Sequence, residues 1–113
     1  MSTINYSATV NSAFGQKAFS IQWTLPAVND DGSPVESPLA DRSVQVTATF
    51  SGSTVTIQGS NDGTNCETIT DPLGSALTFT GAGLKQILQY TKFIRPIATG
   101  GTGTNFVVTL VMR

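Results

Sequence analysis

Apolar and polar positions alternate along most of this chain. Ile4, Tyr6, Ala8 and Val10 are separated by Asn5, Ser7 and Thr9. Phe19, Ile21, Trp23 and Leu25 repeat the pattern with Ser20, Gln22 and Thr24 between them. Val44, Val46, Ala48 and Phe50 do so again, opposed by Ser43, Gln45, Thr47 and Thr49. A period of two sends successive side chains to opposite faces of a strand. The β-branched residues at these positions favour strands over helices. The last such segment carries Phe106, Val108, Leu110 and Met112 on one face and Asn105, Val107, Thr109 and Val111 on the other. A strand apolar on both faces is central in a sheet or covered by a partner.

Turn chemistry punctuates these strands. Ser51-Gly52-Ser53 predicts a tight hairpin, with Gly52 free to take positive φ. Gly59-Ser60-Asn61-Asp62-Gly63 predicts a stronger turn, and Asp71-Pro72-Leu73-Gly74 another. Short strands are expected over Cys66–Ile69 and Ala76–Phe79, and again from about Lys92 to Ala98, where Pro96 marks an edge or a bulge. Leu84, Ile87 and Leu88 fall at i, i+3 and i+4, the spacing of one helical turn.

Residues 26–41 depart from the alternation. They hold Pro26, Pro34, Pro38 and Gly32, and four of the seven acidic residues: Asp30, Asp31, Glu36 and Asp41. This composition predicts a long loop without regular structure. Loops of that length in small domains are commonly functional or disordered. Val35 and Leu39 would give such an excursion something apolar to dock. The expected fold is an all-β, jelly-roll-like antiparallel β-sandwich forming a single domain over residues 1–113. It would have about seven or eight strands, with room for that one helical turn. Phe19, Ile21, Trp23, Val46, Phe50, Val55, Ile57, Phe79, Phe106, Val108 and Leu110 are the expected core.

Composition narrows the function. Only 12% of residues are charged, against about 25% ordinarily. Interface centres are depleted in charge, so the surface is either one meant to be covered or a plain Thr-rich exterior. The net charge is −1 and the basic residues are scattered, which gives no electrostatic footprint for nucleic acid. No apolar run approaches the length of about 20 residues that crosses a bilayer, so no membrane partner is expected. The N-terminal residues lack the pattern of a signal peptide. Cys66 is the single cysteine and cannot form an internal disulfide.

The chain contains no histidine. That removes the commonest general base near neutral pH, the Ser-His and Cys-His nucleophile pairs, and most zinc sites. Asp30 and Asp31 are adjacent, but in a mobile loop they would lack a preorganised geometry. Asn29-Asp30-Asp31-Gly32 lacks the ligand spacing of a calcium loop. The glycine-rich segments lead into no Lys-Ser or Lys-Thr pair. No enzyme activity and no cofactor are expected. Among the aromatics, Tyr90 and Phe93 are the two candidates for an exposed sugar-binding face, with core packing the favoured use of both.

The segment from Val44 through Gly-Ser-Asn-Asp-Gly at 59–63 resembles small structural proteins from the head genes of tailed bacteriophages. The likeness continues through Asp71-Pro72-Leu73-Gly74, Ala76-Leu77-Thr78-Phe79-Thr80, Ile94-Arg95-Pro96 and the Gly-Gly-Thr-Gly turn at 100–103, covering roughly residues 44–112. Such proteins often have Trp where this chain has Cys66. The resemblance implies a capsid decoration, or cement, protein. It would be made in the host cytoplasm and sit on the outer surface of the virion as a dimer or trimer, bridging major capsid protein subunits. The composition of three segments marks them as contacts: Ile4 and Tyr6 in the first strand; Pro26, Asp30, Asp31, Pro34, Val35, Pro38 and Leu39 in the acidic segment; Val107 and Val111 on the outer face of the last strand. Removal of residues 27–40 would then leave a folded chain that no longer decorates shells. The alternatives are a carbohydrate-binding β-sandwich module and a tail or baseplate component.

Overall fold

The computed structural model describes residues 2–11 and 18–113. Phe14 and Lys17 lie outside the described residues. Among the described residues twelve strands run in chain order: β1 (Thr3–Ile4), β2 (Ser7–Asn11), β3 (Ala18–Ala27), β4 (Asp31–Gly32), β5 (Val35–Glu36), β6 (Arg42–Thr49), β7 (Thr54–Ser60), β8 (Glu67–Thr68), β9 (Thr78–Phe79), β10 (Gly83–Gln86), β11 (Phe93–Thr99) and β12 (Thr104–Met112). They form two sheets. One has five strands in the order β10-β6-β12-β3-β2. The other has seven along β1-β4-β11-β7-β8, with β5 beside β11 and β9 beside β7. From β3 onward the chain passes back and forth between the sheets, at β3–β4, β5–β6, β6–β7, β9–β10, β10–β11 and β11–β12. This is the winding of a jelly roll.

The alternation places the core between the sheets. Ile21, Trp23 and Leu25 of β3, Val44 and Val46 of β6, and Phe106, Val108, Leu110 and Met112 of β12 are all buried. They meet Val55 and Ile57 of β7 and Ile94 and Ala98 of β11, together with Ile69, Leu77 and Phe79. Phe19 and Phe50 pack on the margin of this cluster. β12, apolar on both faces, is central: it pairs with β3 on one side and β6 on the other.

Several local expectations change in the tertiary structure. The turn at Ser51 and Gly52 forms as its residues imply, with φ of 44° and 81° and Ser53 N–H donating to Phe50 O at 2.7 Å. It joins strands of different sheets, however, and so is a crossing rather than a hairpin. The helical turn at Leu84 is absent. Gly83–Gln86 is instead a strand along β6, with Leu84 opposite Gln45. A single isolated turn of helix carries its nucleation cost without compensation, whereas the open edge of β6 offers a ready ladder. Pro96 sits inside a sheet, yet no ladder donor is lost. Its neighbour across the pair, Ile57, bonds away from it, donating to Leu77 O and accepting from Ile69 N–H. On the other side lies the break between β4 and β5.

The largest correction concerns residues 26–41. They are not a free excursion: they supply the end of β3 and all of β4 and β5. Asp30 and Asp31 are buried. The Asp30 carboxylate accepts from the Ser2 and Ala27 N–H groups at 2.9 and 3.1 Å. Asp31 accepts from the Thr3 hydroxyl at 2.7 Å and pairs with Arg95 at 3.1 Å. These carboxylates thus help hold β1, which runs parallel to β4. Side-chain acceptors and the short lengths of β4 and β5 let a proline-rich segment join a sheet. Val35 docks in the chain's own core, and Leu39 packs against it. Deletion of 27–40 would remove core and sheet together, so it does not isolate a contact loop.

Gly32 of β4 faces the Trp23 indole, whose Nε1–H donates to Ser33 O at 3.0 Å. A Cβ at Gly32 would lie 2.5 Å from both Trp23 Cδ1 and Pro96 Cδ. Gly32→Ala is therefore expected to cost about 1–3 kcal/mol through overpacking, measurable as a lowered midpoint in urea unfolding with an unchanged slope.

Candidate functional site

Two surfaces and two depressions offer themselves for function. The first surface is the outer face of the five-stranded sheet. The cross-strand register aligns Leu84, Gln45, Thr109, Gln22 and Ser7 in one row across all five strands. Thr9, Ser20, Val111 and Ser43 form a second row, and Gln22 Nε2 donates to Thr109 Oγ1 at 3.2 Å within the first. Thr24, Val107 and Thr47 continue the face. Among the described residues, no outward position of these five strands carries a charge. The reason lies in the alternation: Arg42 and Lys85, the charged residues within these strands, fall on the inward parity. The outer face of the other sheet differs, since it carries the Asp31–Arg95 pair.

The first depression, of about 310 Å³, is an apolar groove lined by Tyr6, Ala8, Phe19, Ile21, Val35, Glu36, Pro38 and Met112. It exists because β2 extends the five-stranded sheet beyond its partner. Ala8 and Val10 stand opposite Ile21 and Phe19, on the inward parity, yet Val10 remains 56% exposed. Tyr6 partly caps the edge, its ring 6.1 Å from that of Trp23 in an edge contact.

The second depression, of about 430 Å³, is lined by Glu36, Pro38, Asn61, Tyr90 and Lys92. Beneath it lies Arg42, the first residue of β6, which is buried. Among the described residues no carboxylate pairs with its guanidinium. Its Nη1 donates to Ser37 Oγ at 3.1 Å and to Thr91 O at 3.2 Å, and Nη2 donates to Gln89 O. The guanidinium also lies over the Tyr90 ring, 5.3 Å from its centroid. Burial lowers the Arg42 pKa and Tyr90 partly offsets this. Such a group stays charged nonetheless.

The neighbouring turn is organised by Asp62. Its carboxylate accepts from the N–H groups of Thr64 and Asn65, each at 2.8 Å, and from the Asn65 amide and the Ser60 hydroxyl. These bonds hold its pKa far below the ordinary carboxyl value, backbone hydrogen bonds being the largest cause. In the same turn, Asn61 Oδ1 accepts from Lys92 N–H at 3.1 Å, which ties the turn to the start of β11.

The residues singled out from sequence scatter over these features. Tyr6, Val35 and Pro38 converge on the apolar groove. Val107 and Val111 lie on the uncharged sheet face, and Pro26 is exposed at its end. Ile4 and Leu39 pack against the core, Pro34 is half-buried, and Asp30 and Asp31 are buried in bonds within the chain. Phe93 is half-buried. Arg42 was not anticipated as a site residue. Its signal was present: Arg42, Val44, Val46 and Ala48 share one parity, so an inward-facing strand begins with a cation.

No protein-family model matches the chain, and no curated protein matches it significantly. Among solved structures, the fold is similar to that of the SPBc2 prophage-derived protein YomS. The TM-score is 0.54 at 7% identity, over 84% of this chain and 93% of that one. A Klebsiella pneumoniae protein with a double-stranded β-helix domain aligns at TM-score 0.48 and 11% identity, over 96% of this chain and 76% of the other. A cupin 2 domain-containing protein from Halorhodospira halophila aligns at 0.44 and 11%, over 95% and 62%. At these identities the likeness is one of fold.

Two expectations follow. Lys cannot reproduce the planar fork of guanidinium donors, so Arg42→Lys is expected to leave buried acceptors unpaired. The cost should be about 1–3 kcal/mol in denaturant unfolding. The Asp62 carboxyl binds its proton less tightly in the folded chain than in the unfolded one. Its contribution to stability is present above the ordinary carboxyl value of 3.8 and is lost as pH falls toward its folded value. Asp62→Asn should flatten the acid limb of a stability-versus-pH curve and leave the curve above pH about 6 parallel to wild type.

Proposed function

We propose that this chain is a structural protein of a tailed-phage particle. In this reading it decorates the outside of the head and bridges neighbouring major capsid protein subunits. The observation that carries the proposal is the outer face of the five-stranded sheet, whose strands present no outward charge among the described residues and which the exposed Asp41–Arg113 ion pair borders at one end. Charged groups lose hydration when covered, and the centres of protein interfaces are depleted in them. A face of Thr, Ser, Gln and Val can be covered at low cost while still offering hydrogen bonds. Strands about 4.8 Å apart and rising about 3.3 Å per residue give these five strands, of four to ten residues each, an area of roughly 600 Å² before side-chain relief. A standard interface buries about 800 Å² per partner. The resemblance over residues 44–112 and the fold shared with a prophage-derived protein support the same direction.

The mechanism is passive. Each bound copy ties its binding free energy to the assembled shell, because separated subunits no longer share it. Repetition over a closed lattice, and assembly of the chain into a dimer or trimer, multiply a modest contact through effective concentration. No catalytic step enters, and the particle is the place of action.

Purified protein mixed with undecorated phage heads and imaged by electron microscopy is expected to coat them. Thr109 and Gln45 stand side by side at the middle of the face. Thr109→Lys and Gln45→Lys would each bury an unpaired charge, and each should reduce affinity for heads at least ten-fold. As outward-facing surface changes, they should leave stability within about 0.5 kcal/mol. Undiminished coating by both variants would exclude this face as the attachment surface, and no coating by wild type would exclude decoration of those heads.

A further inference from the structure

We propose that the depression at Tyr90 is a saccharide-binding site, with the Tyr90 ring as the platform for a neutral pyranose. This is independent of capsid attachment and lies away from the uncharged sheet face. Tyr90 is 59% exposed although it sits on a tightly held segment. Arg42 binds the carbonyls of Gln89 and Thr91, the residues on either side of it, and covers one face of its ring. The Tyr90 hydroxyl donates to Pro38 O at 2.9 Å, which fixes the ring at its far end. An aromatic ring gripped from beneath and at its tip, with its remaining surface open, is preorganised for a flat apolar ligand face.

The surrounding groups suit hydroxyls. Glu36 accepts, Lys92 donates, and the Asn61 amide nitrogen donates, all lining the same depression of about 430 Å³. Asn61 is anchored through its oxygen to Lys92 N–H, so the donor it can offer a ligand is its amide nitrogen. Among the residues that line the depression Glu36 and Lys92 are of opposite charge, and Arg42 lies beneath the ring with its guanidinium on the Gln89 and Thr91 carbonyls rather than in the lining, so an uncharged sugar meets no unpaired charge there. Holding the ring in advance removes part of the ordering cost of binding. It also supplies a reason for a buried cation without an anion, since burying a charge is costly unless its bonds do something for the structure.

The test is titration of the ¹⁵N-labelled protein with methyl glucosides, galactosides, mannosides and N-acetylglucosaminides, followed by amide shifts. At least one pyranoside is expected to give saturable shifts confined to residues 36–38, 61–63 and 89–93, with Kd about 1 mM. Tyr90→Ala should weaken that binding at least ten-fold, and Tyr90→Phe should retain most of it. Glu36→Gln, an exposed change, should weaken binding several-fold and serves if Tyr90→Ala does not fold. Absence of saturable shifts with every pyranoside, or equal binding by Tyr90→Ala and Glu36→Gln, would overturn the proposal. Neither result bears on the coating of heads.

Discussion

The structure rests on burying one face of each sheet against the other. β12 is the clearest instance: its neighbours on both sides satisfy the backbone, and Phe106, Val108, Leu110 and Met112 enter the space between the sheets. Apolar burial contributes roughly 25 cal/mol per Å², and the face of β12 is fully used. What remains outside is set by the same parity. The five-stranded sheet places Ser, Thr, Gln and Val outward because its inward positions took the large apolar side chains and its two cations.

The two sheets are unequal in outline, and the mismatch generates the surface features. Where β2 runs past the opposite sheet, its inward residues have nothing above them, and an apolar groove results. At the end of the sandwich near the start of β6, an inward position holds Arg42 in place of an apolar side chain. Its hydrogen bonds go to carbonyls and a hydroxyl, so its charge is spread over dipoles rather than neutralised. The segment it holds, Gln89–Thr91, carries the exposed Tyr90. Core packing, a buried cation and a surface depression are therefore one connected arrangement.

The acidic, proline-rich segment shows how a polar sequence becomes structural. Asp30 and Asp31 act as acceptors for backbone and hydroxyl groups of the first strand, and Arg95 reaches Asp31 across the sheet. Proline removes ladder donors, but β4 and β5 are two residues each, and Pro34 falls in the gap between them. Gly32 makes room for the Trp23 indole. The two buried carboxylates are thus engaged within the chain rather than presented at its surface.

The class of fold and most of the core were legible from alternation alone, because a period of two and a burial pattern of two are the same fact. Ile21, Trp23, Val46, Phe106, Val108 and Leu110 announced themselves in this way, as did the uncharged parity that became the outer face. Turn residues likewise declared their positive φ at Gly52 and Gly63. Which strands a turn connects was not legible, since Ser51-Gly52 reverses the chain equally well within a sheet or between two. Nor was the fate of Asp30, Asp31 and Arg42, whose partners lie up to 64 residues away in sequence. Local composition states what each residue can do; only the winding of the chain decides which distant groups come within hydrogen-bonding reach.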